Sequence, residues 1–347
     1  MARVAVVSSH PPFTEGGHLG IARSLVQALH ASGHEAELVL TPQNRFGRQA
    51  AAYLANWLTD VGESNGQRID QVISLRFPAY AVRHPRHVCW LSHTMREYYD
   101  LWPDFRNRRS SLNRVKEGMR RQMIHAADRH FLGPRHLTRL FVLSRAVQDR
   151  LRQHIGVQSE PLYPPPPPRA YRCERFDDYV FAVSRLTPLK RFDLLLHALA
   201  EPDARSVRAK IAGEGEDRDR LVALARELGV DARVSFVGRL DDASLLEHYA
   251  RCRAVCFTPR QEDYGFVTVE AFASGKPVIT CTDSGGPAEL VEDGHTGLVC
   301  APTPTALAAA LERLMSDPHA AERFGSRAGE VAASLTWPAT VARLVVV

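Results

Sequence analysis

The chain has 347 residues, of which 45% are hydrophobic and 24% charged, a balance that suits a folded enzyme and excludes a disordered or fibrous chain. That length is more than one core comfortably fills, so two domains are expected. The formal net charge is +5, with arginines spread along the chain, and dedicated nucleic-acid binding is not expected. Six cysteines without a C-x-x-C pair read as buried thiols, not as zinc ligands or disulfides. No apolar run approaches the ~20 residues of a membrane span. Val4-Ala5-Val6-Val7 is too short for a signal-peptide core, so a cytoplasmic protein is the expectation.

In chain order, a strand is predicted at 4–8. A turn follows over His10-Pro11-Pro12-Phe13-Thr14-Glu15-Gly16-Gly17, then a helix at about 18–31 with Ile21, Leu25 and Leu29 at four-residue spacing. Gly33 is placed to end that helix. Apolar runs at 37–40, 72–75, 88–91 and 140–143 suit buried parallel strands with helices between them, which is the alternation of an α/β domain. Five prolines, Pro164 to Pro168, must run extended and mark the connection between domains. Beyond them the alternation repeats. Strands are predicted at 179–184, 208–212, 234–237, 254–257 and 277–281, and helices at 193–200, 217–228, 242–250 and 268–274. Two more helices are expected at 304–315 and 319–333, and residues 337–347 are apolar at helical spacing, able to cross back to the first domain. The domain reading is 1–165, 166–335 and a terminal helix at 336–347.

The residues that carry chemistry cluster at predicted strand ends, where open α/β sheets bind ligands. Arg185 and Lys190 follow the first strand of the second half, within Ser184-Arg185-Leu186-Thr187-Pro188-Leu189-Lys190-Arg191, and two fixed cations there would neutralise a diphosphate leaving group. Gly213-Glu214-Gly215-Glu216 follows the next strand; its glycines either let backbone approach a ligand or simply make a tight turn. Val237-Gly238-Arg239-Leu240 ends a third strand, where backbone at Arg239 can meet a nucleobase edge. Glu262 and Glu270 frame Glu262-Asp263-Tyr264-Gly265-Phe266-Val267-Thr268-Val269-Glu270, a glycine-bearing turn that opens a helix, with one acid before the turn and the other about two helical turns later. Such a helix start supplies amides for an anion, here from Gly265, Phe266 and Val267. In the first half, Gly17 precedes a helix, without the Gly-x-Gly-x-x-Gly of dinucleotide binding. His93, just after the 88–91 strand, is a candidate donor to a sugar hydroxyl or a structural loop histidine. The arginine-rich segment 106–121 is read chiefly as a solvated helix face, with an anionic acceptor or a membrane surface as the other readings.

Taken together, the Glu-x7-Glu segment, Ser184-Arg185-Leu186 with Lys190, Gly213-Glu214-Gly215-Glu216, and Ser284-Gly285-Gly286-Pro287-Ala288-Glu289 with Asp293-Gly294-x-x-Gly297 resemble the retaining, nucleotide-sugar-dependent glycosyltransferases of the GT-B fold, group 1 or family 4. One departure is Ser184, where the family usually has glycine before the arginine. The resemblance implies two Rossmann-like domains facing across a cleft, with acceptor bound by the first and donor by the second. It implies that Arg185 and Lys190 hold the diphosphate, Glu270 the ribose and Glu262 the transferred sugar. It further implies that His93 touches that sugar, that Gly17 closes on phosphate or acceptor, and that no cofactor or metal is needed. UDP is favoured over GDP as the donor base, with a saccharide, lipid-linked or small-molecule acceptor. The alternatives are an epimerase of the same architecture and a nucleotide-sugar-binding protein that has lost catalysis.

Overall fold

The structure, a computed structural model, describes residues 1–10, 17–42 and 46–346. The chain divides into two compact units: Met1–Pro164 with Thr336–Val347, and Pro165–Leu335. The division falls inside the proline run, which carries no regular secondary structure. The turn at 11–16, Gly16 included, lies outside the described residues.

The first unit holds strands β1 (Arg3–His10), β2 (Glu35–Pro42), a small antiparallel hairpin of β3 (Glu63–Ser64) and β4 (Gln67–Arg68), and then β5 (Gln71–Ser74), β6 (His87–Leu91), β7 (Arg139–Val142) and β8 (Glu160–Pro161). Six of them form a parallel sheet in the order β2-β1-β5-β6-β7-β8. β1 runs beside β2 from Arg3 opposite Glu35 to His10 opposite Pro42. The strands that the apolar runs predict are all present. β8 has two residues, one of them proline, and offers no pattern to read. The helix Gly17–Ala31 follows β1, and Gly33, at φ 82°, turns the chain after it.

The long helix Ser111–Phe131 shares an apolar cluster with this sheet through Ile124, beside Cys89, Leu91 and Val142, and makes a polar contact with the helix Gln49–Leu58 and the segments around Tyr80 and Tyr99. Buried Asp128 accepts hydrogen bonds from the hydroxyls of Tyr53, Tyr80 and Tyr99. Three donors compensate the burial of one carboxylate. The terminal helix Trp337–Leu344 completes the unit. Gln71 Nε2 donates to the Leu344 carbonyl at 2.7 Å, and Trp337 meets Trp90 edge-on at 6.3 Å.

The second unit holds β9 (Val180–Val183), β10 (Ala209–Ala212), β11 (Val234–Gly238), β12 (Ala254–Cys256), β13 (Val278–Cys281) and β14 (Gly297–Cys300), all parallel, in the order β11-β10-β9-β12-β13-β14. Side chains alternate between two apolar layers: Val180, Ala182 and Ile279 face one, Phe181, Val255 and Val278 the other. Burial on both faces is what a sheet flanked by crossover helices requires. β14 is absent from the sequence reading because it sits within a glycine-rich stretch. Gly297 admits the strand: a Cβ there would lie 2.0 Å from the Val278 carbonyl oxygen. Counted from β9, the sheet order is 3-2-1-4-5-6, and its direction of winding reverses between β9 and β12. Ligands of doubly wound sheets bind outside the carboxyl ends of the strands at that point.

Candidate active site

The loops leaving β9, β12 and β13 meet at this switch point; Arg185, Lys190 and Glu262 lie on the first two of them, while Gly213 and Arg239 follow β10 and β11. Lys190 Nζ donates to Glu262 Oε2 at 2.6 Å, with both side chains about one-fifth exposed. This pair joins the β9 loop to the β12 loop and puts a cation and an acid of the expected set side by side. The backbone adds a second tie, from Arg260 N to the Leu189 carbonyl at 2.8 Å. Arg185 is exposed in the same β9 loop.

Arg191 does the structural work at this junction and was not singled out from the sequence. Its guanidinium grips both oxygens of Asp283 at 2.8 and 2.7 Å and also donates to the carbonyls of Thr258 and Pro259. One side chain thereby pins the three loops together. Arg191 and Gln261 have φ of 52° and 49°, a left-handed conformation that costs a non-glycine residue about 1–2 kcal/mol. The strain sits where the loops converge.

The β13 loop buttresses Glu262 from below. Glu262 N donates to the Ser284 carbonyl, and Gly286 N donates back to the Glu262 carbonyl, both at 2.9 Å. Gly285, at φ 71°, is required there, since a Cβ would lie 2.5 Å from the Glu262 oxygen. Gly265 caps the next helix, Phe266–Ala273, at φ 80°; a Cβ would strike the Phe257 ring and Pro287. The helix begins two residues before the sequence reading places it, so Glu270 stands just over one turn into it instead of within its first turn. The first amides of any helix lack intrahelical partners, which leaves those of Phe266 and Val267 at the positive end of the helix dipole.

Glu270 is buried, and each oxygen of its carboxylate accepts one hydrogen bond. Oε1 accepts from Arg169 Nη1 at 2.8 Å and Oε2 from the Tyr249 hydroxyl at 3.0 Å. Burial raises its carboxyl above the usual range, against the lowering pull of Arg169 and Tyr249. Neither partner was anticipated.

Gly213 is required by the neighbouring backbone, which is the tight-turn reading of its segment. A Cβ there would lie 1.8 Å from the Ser184 carbonyl oxygen, and φ is 127°. The residue lets the β10 loop run against the β9 loop. Gly213 N also donates to the Gly238 carbonyl, which fixes the backbone just before exposed Arg239. In the first unit, half-buried His93 follows β6, and its carbonyl accepts from Phe77 N. Gly17 opens the helix after β1.

Residues 174–331 match the family described as glycosyl transferases group 1. A D-inositol 3-phosphate glycosyltransferase of Frankia alni is 37% identical over 180 residues, covering 48% of this chain and 44% of that protein. A glycogen synthase of Mycobacterium tuberculosis is 42% identical over 114 residues, covering 33% and 27%. The matches thus span under half the length of these curated relatives. Solved structures align over both units. Sucrose-phosphate synthase from Thermosynechococcus elongatus superposes with a TM-score of 0.76 at 16% identity, over 98% of this chain and 97% of that one. Anabaena HepE in complex with UDP and glucose superposes at 0.67 and 18% identity, over 98% of each chain. The shared fold is GT-B, as the sequence resemblance implies.

Proposed function

We propose, from the premise that the chain belongs through residues 174–331 to the group 1 glycosyltransferases, that it transfers a sugar from a nucleotide diphosphate sugar to an acceptor hydroxyl with retention of anomeric configuration. The observation that carries the reading is the Lys190–Glu262 pair at the switch point of the second sheet, beside the start of the helix Phe266–Ala273. Two cations, Arg185 and Lys190, and a helix start suit the diphosphate. Glu262 suits a hydroxyl of the transferred sugar, Glu270 the ribose, and the backbone before Arg239 the base. UDP is favoured as the base because HepE was solved with UDP. The acceptor is a saccharide, a lipid-linked sugar or a small molecule. The roles of His93 and Gly17, which stand on elements of the first unit, follow from the family resemblance. So does the expectation that no metal or cofactor takes part, whereas the cytoplasmic expectation rests on the short apolar run Val4-Ala5-Val6-Val7 and the lack of a membrane-length apolar run.

In this mechanism the acceptor oxygen attacks the face from which the diphosphate departs. The new C1–O bond forms as the C1–phosphate oxygen bond breaks, and the leaving phosphate oxygen takes the acceptor proton. Charge on the departing diphosphate falls on Arg185, Lys190 and the helix start; of the two cations, Lys190 is held in place beforehand by Glu262. The test is nucleotide release from a panel of UDP- and GDP-sugars, with the product anomer read by NMR. The reading predicts slow donor hydrolysis in water and faster release with a fitting acceptor. Inertness toward every donor, with and without saccharide acceptors, would overturn it.

A further inference from the structure

We propose that the outer face of the helix Ser111–Phe131 is a docking surface for an anionic lipid bilayer. The helix buries Glu117, Ile124 and Asp128 on one side. On the opposite side Leu112, Val115, Met119 and Met123 recur at three- and four-residue spacing and are 83%, 64%, 62% and 37% exposed. Single exposed apolar residues are ordinary, but a continuous stripe of them marks an interaction surface. The stripe reaches a neighbouring helix, Gln49–Leu58. Leu54, Trp57 and Met123 share an open, largely apolar cavity of about 300 Å³. Arg83 lies over the Trp57 ring at 4.3 Å, which gives that edge an aromatic and a cation together.

Charge selects the partner. From Arg106 to Arg121 there are seven cationic side chains and one carboxylate, a net +6, where the whole chain carries +5. The positive field is therefore local to this helix and its approach, not spread along the chain as the arginine distribution first suggests. Arg120 pairs with Glu117 at 2.6 Å, and Arg121 donates to the Tyr98 carbonyl at 2.9 Å, so those two serve the fold. Arg106, Arg108, Arg109, Arg114 and Lys116 are exposed. A nucleic acid would satisfy the cations and leave the apolar stripe in water; an apolar protein groove would do the reverse. An anionic bilayer satisfies both, with acyl chains under the stripe and headgroups at the cations. Among the described residues no helix is long and apolar enough to cross a membrane, so the helix lies on the surface. The proposal stands independently of the transferase reading.

The test is co-sedimentation of the full chain with vesicles of phosphatidylcholine containing one-third phosphatidylglycerol, against vesicles of phosphatidylcholine alone. The wild type is expected to pellet with the anionic vesicles only. Two variants are each expected to lower the bound fraction by about tenfold or more: Leu112→Asp with Met119→Asp, and Arg108→Glu with Arg109→Glu and Arg114→Glu. All five positions are exposed, and unchanged melting confirms that the variants fold. A wild type that stays in the supernatant overturns the proposal. So does wild-type binding by the aspartate variant, which would show that the apolar stripe does not enter the bilayer.

Discussion

Arg169→Met removes the cation facing the buried carboxylate of Glu270, 2.8 Å away. Breaking a buried ion pair from one side costs about 3–5 kcal/mol, because the remaining charge is left uncompensated. The lower end applies here, since the Tyr249 hydroxyl still donates to Glu270 at 3.0 Å and the Arg169 side chain is 27% exposed. About 3 kcal/mol corresponds to a fall in melting temperature of roughly 6–12 °C for a unit of this size. The pH dependence has a definite sign. Burial raises the Glu270 carboxyl and Arg169 opposes that rise, so the variant's carboxyl goes higher still. A group with a raised native pKa binds its proton more tightly folded than unfolded. The native state is then favoured as pH falls through the raised value toward the ordinary carboxylate range. The deficit of Arg169→Met relative to wild type should therefore shrink between about pH 8 and about pH 5. Adding Glu270→Gln removes the stranded charge and should recover most of the loss at pH 8. Calorimetric melting of the wild type, the single variant and the double variant at both pH values makes the measurement. A deficit under about 1 kcal/mol, or one that ignores both pH and the second substitution, would refute the reasoning.

Lys190→Ala should lower turnover by about 100-fold or more, the scale for losing one preorganised charge stabiliser; near-wild-type turnover would remove Lys190 from the mechanism. Gly213→Ala drives a Cβ into the Ser184 carbonyl oxygen, whereas Gly33→Ala, also at positive φ, meets nothing within 4 Å. The second should cost about 1–2 kcal/mol in urea unfolding and the first clearly more; equal costs would mean that the close approach is unimportant. Asp128→Leu leaves three buried tyrosine hydroxyls without their acceptor and should destabilise the protein by about 3 kcal/mol or more in the same assay, a result that a loss below about 1 kcal/mol would contradict.

What the sequence discloses and what it hides have physical reasons. A strand buried on both faces must be largely apolar, so β9, β12 and β13 stand out as runs of Val, Ile, Phe, Ala and Cys, broken by one threonine, Thr280. β8 and β14 escape because one contains proline and the other begins at a glycine needed for close packing. Lys190 and Glu262 are legible because each sits at the end of a predicted strand, although 72 residues separate them. Arg191 adjoins Lys190, yet its role depends on Asp283, 92 residues on, and no local pattern joins the two. Arg169 and Tyr249 are hidden for the same reason: one follows the prolines, the other sits late in an ordinary helix, and only the fold brings them to Glu270. Gly213 carries two readings in the sequence, ligand approach and tight turn, and the structure supplies the packing reason for the second: a Cβ there would lie 1.8 Å from the Ser184 carbonyl oxygen. The spacing of Leu112, Val115, Met119 and Met123 is visible in the sequence, but which side of their helix faces the core is settled only by the buried set Glu117, Ile124 and Asp128.

The central claim is that the strand-end loops of the second unit bind a nucleotide diphosphate through Arg185 and Lys190. Titration calorimetry of UDP and UDP-glucose into the wild type and into Arg185→Ala with Lys190→Ala tests it most directly. The account predicts measurable binding to the wild type and a loss of about tenfold or more in the double variant, since each charge-assisted contact is worth about 1.5–3 kcal/mol. Equal affinity in the two proteins, or no heat from the wild type with any UDP or GDP compound, would contradict it.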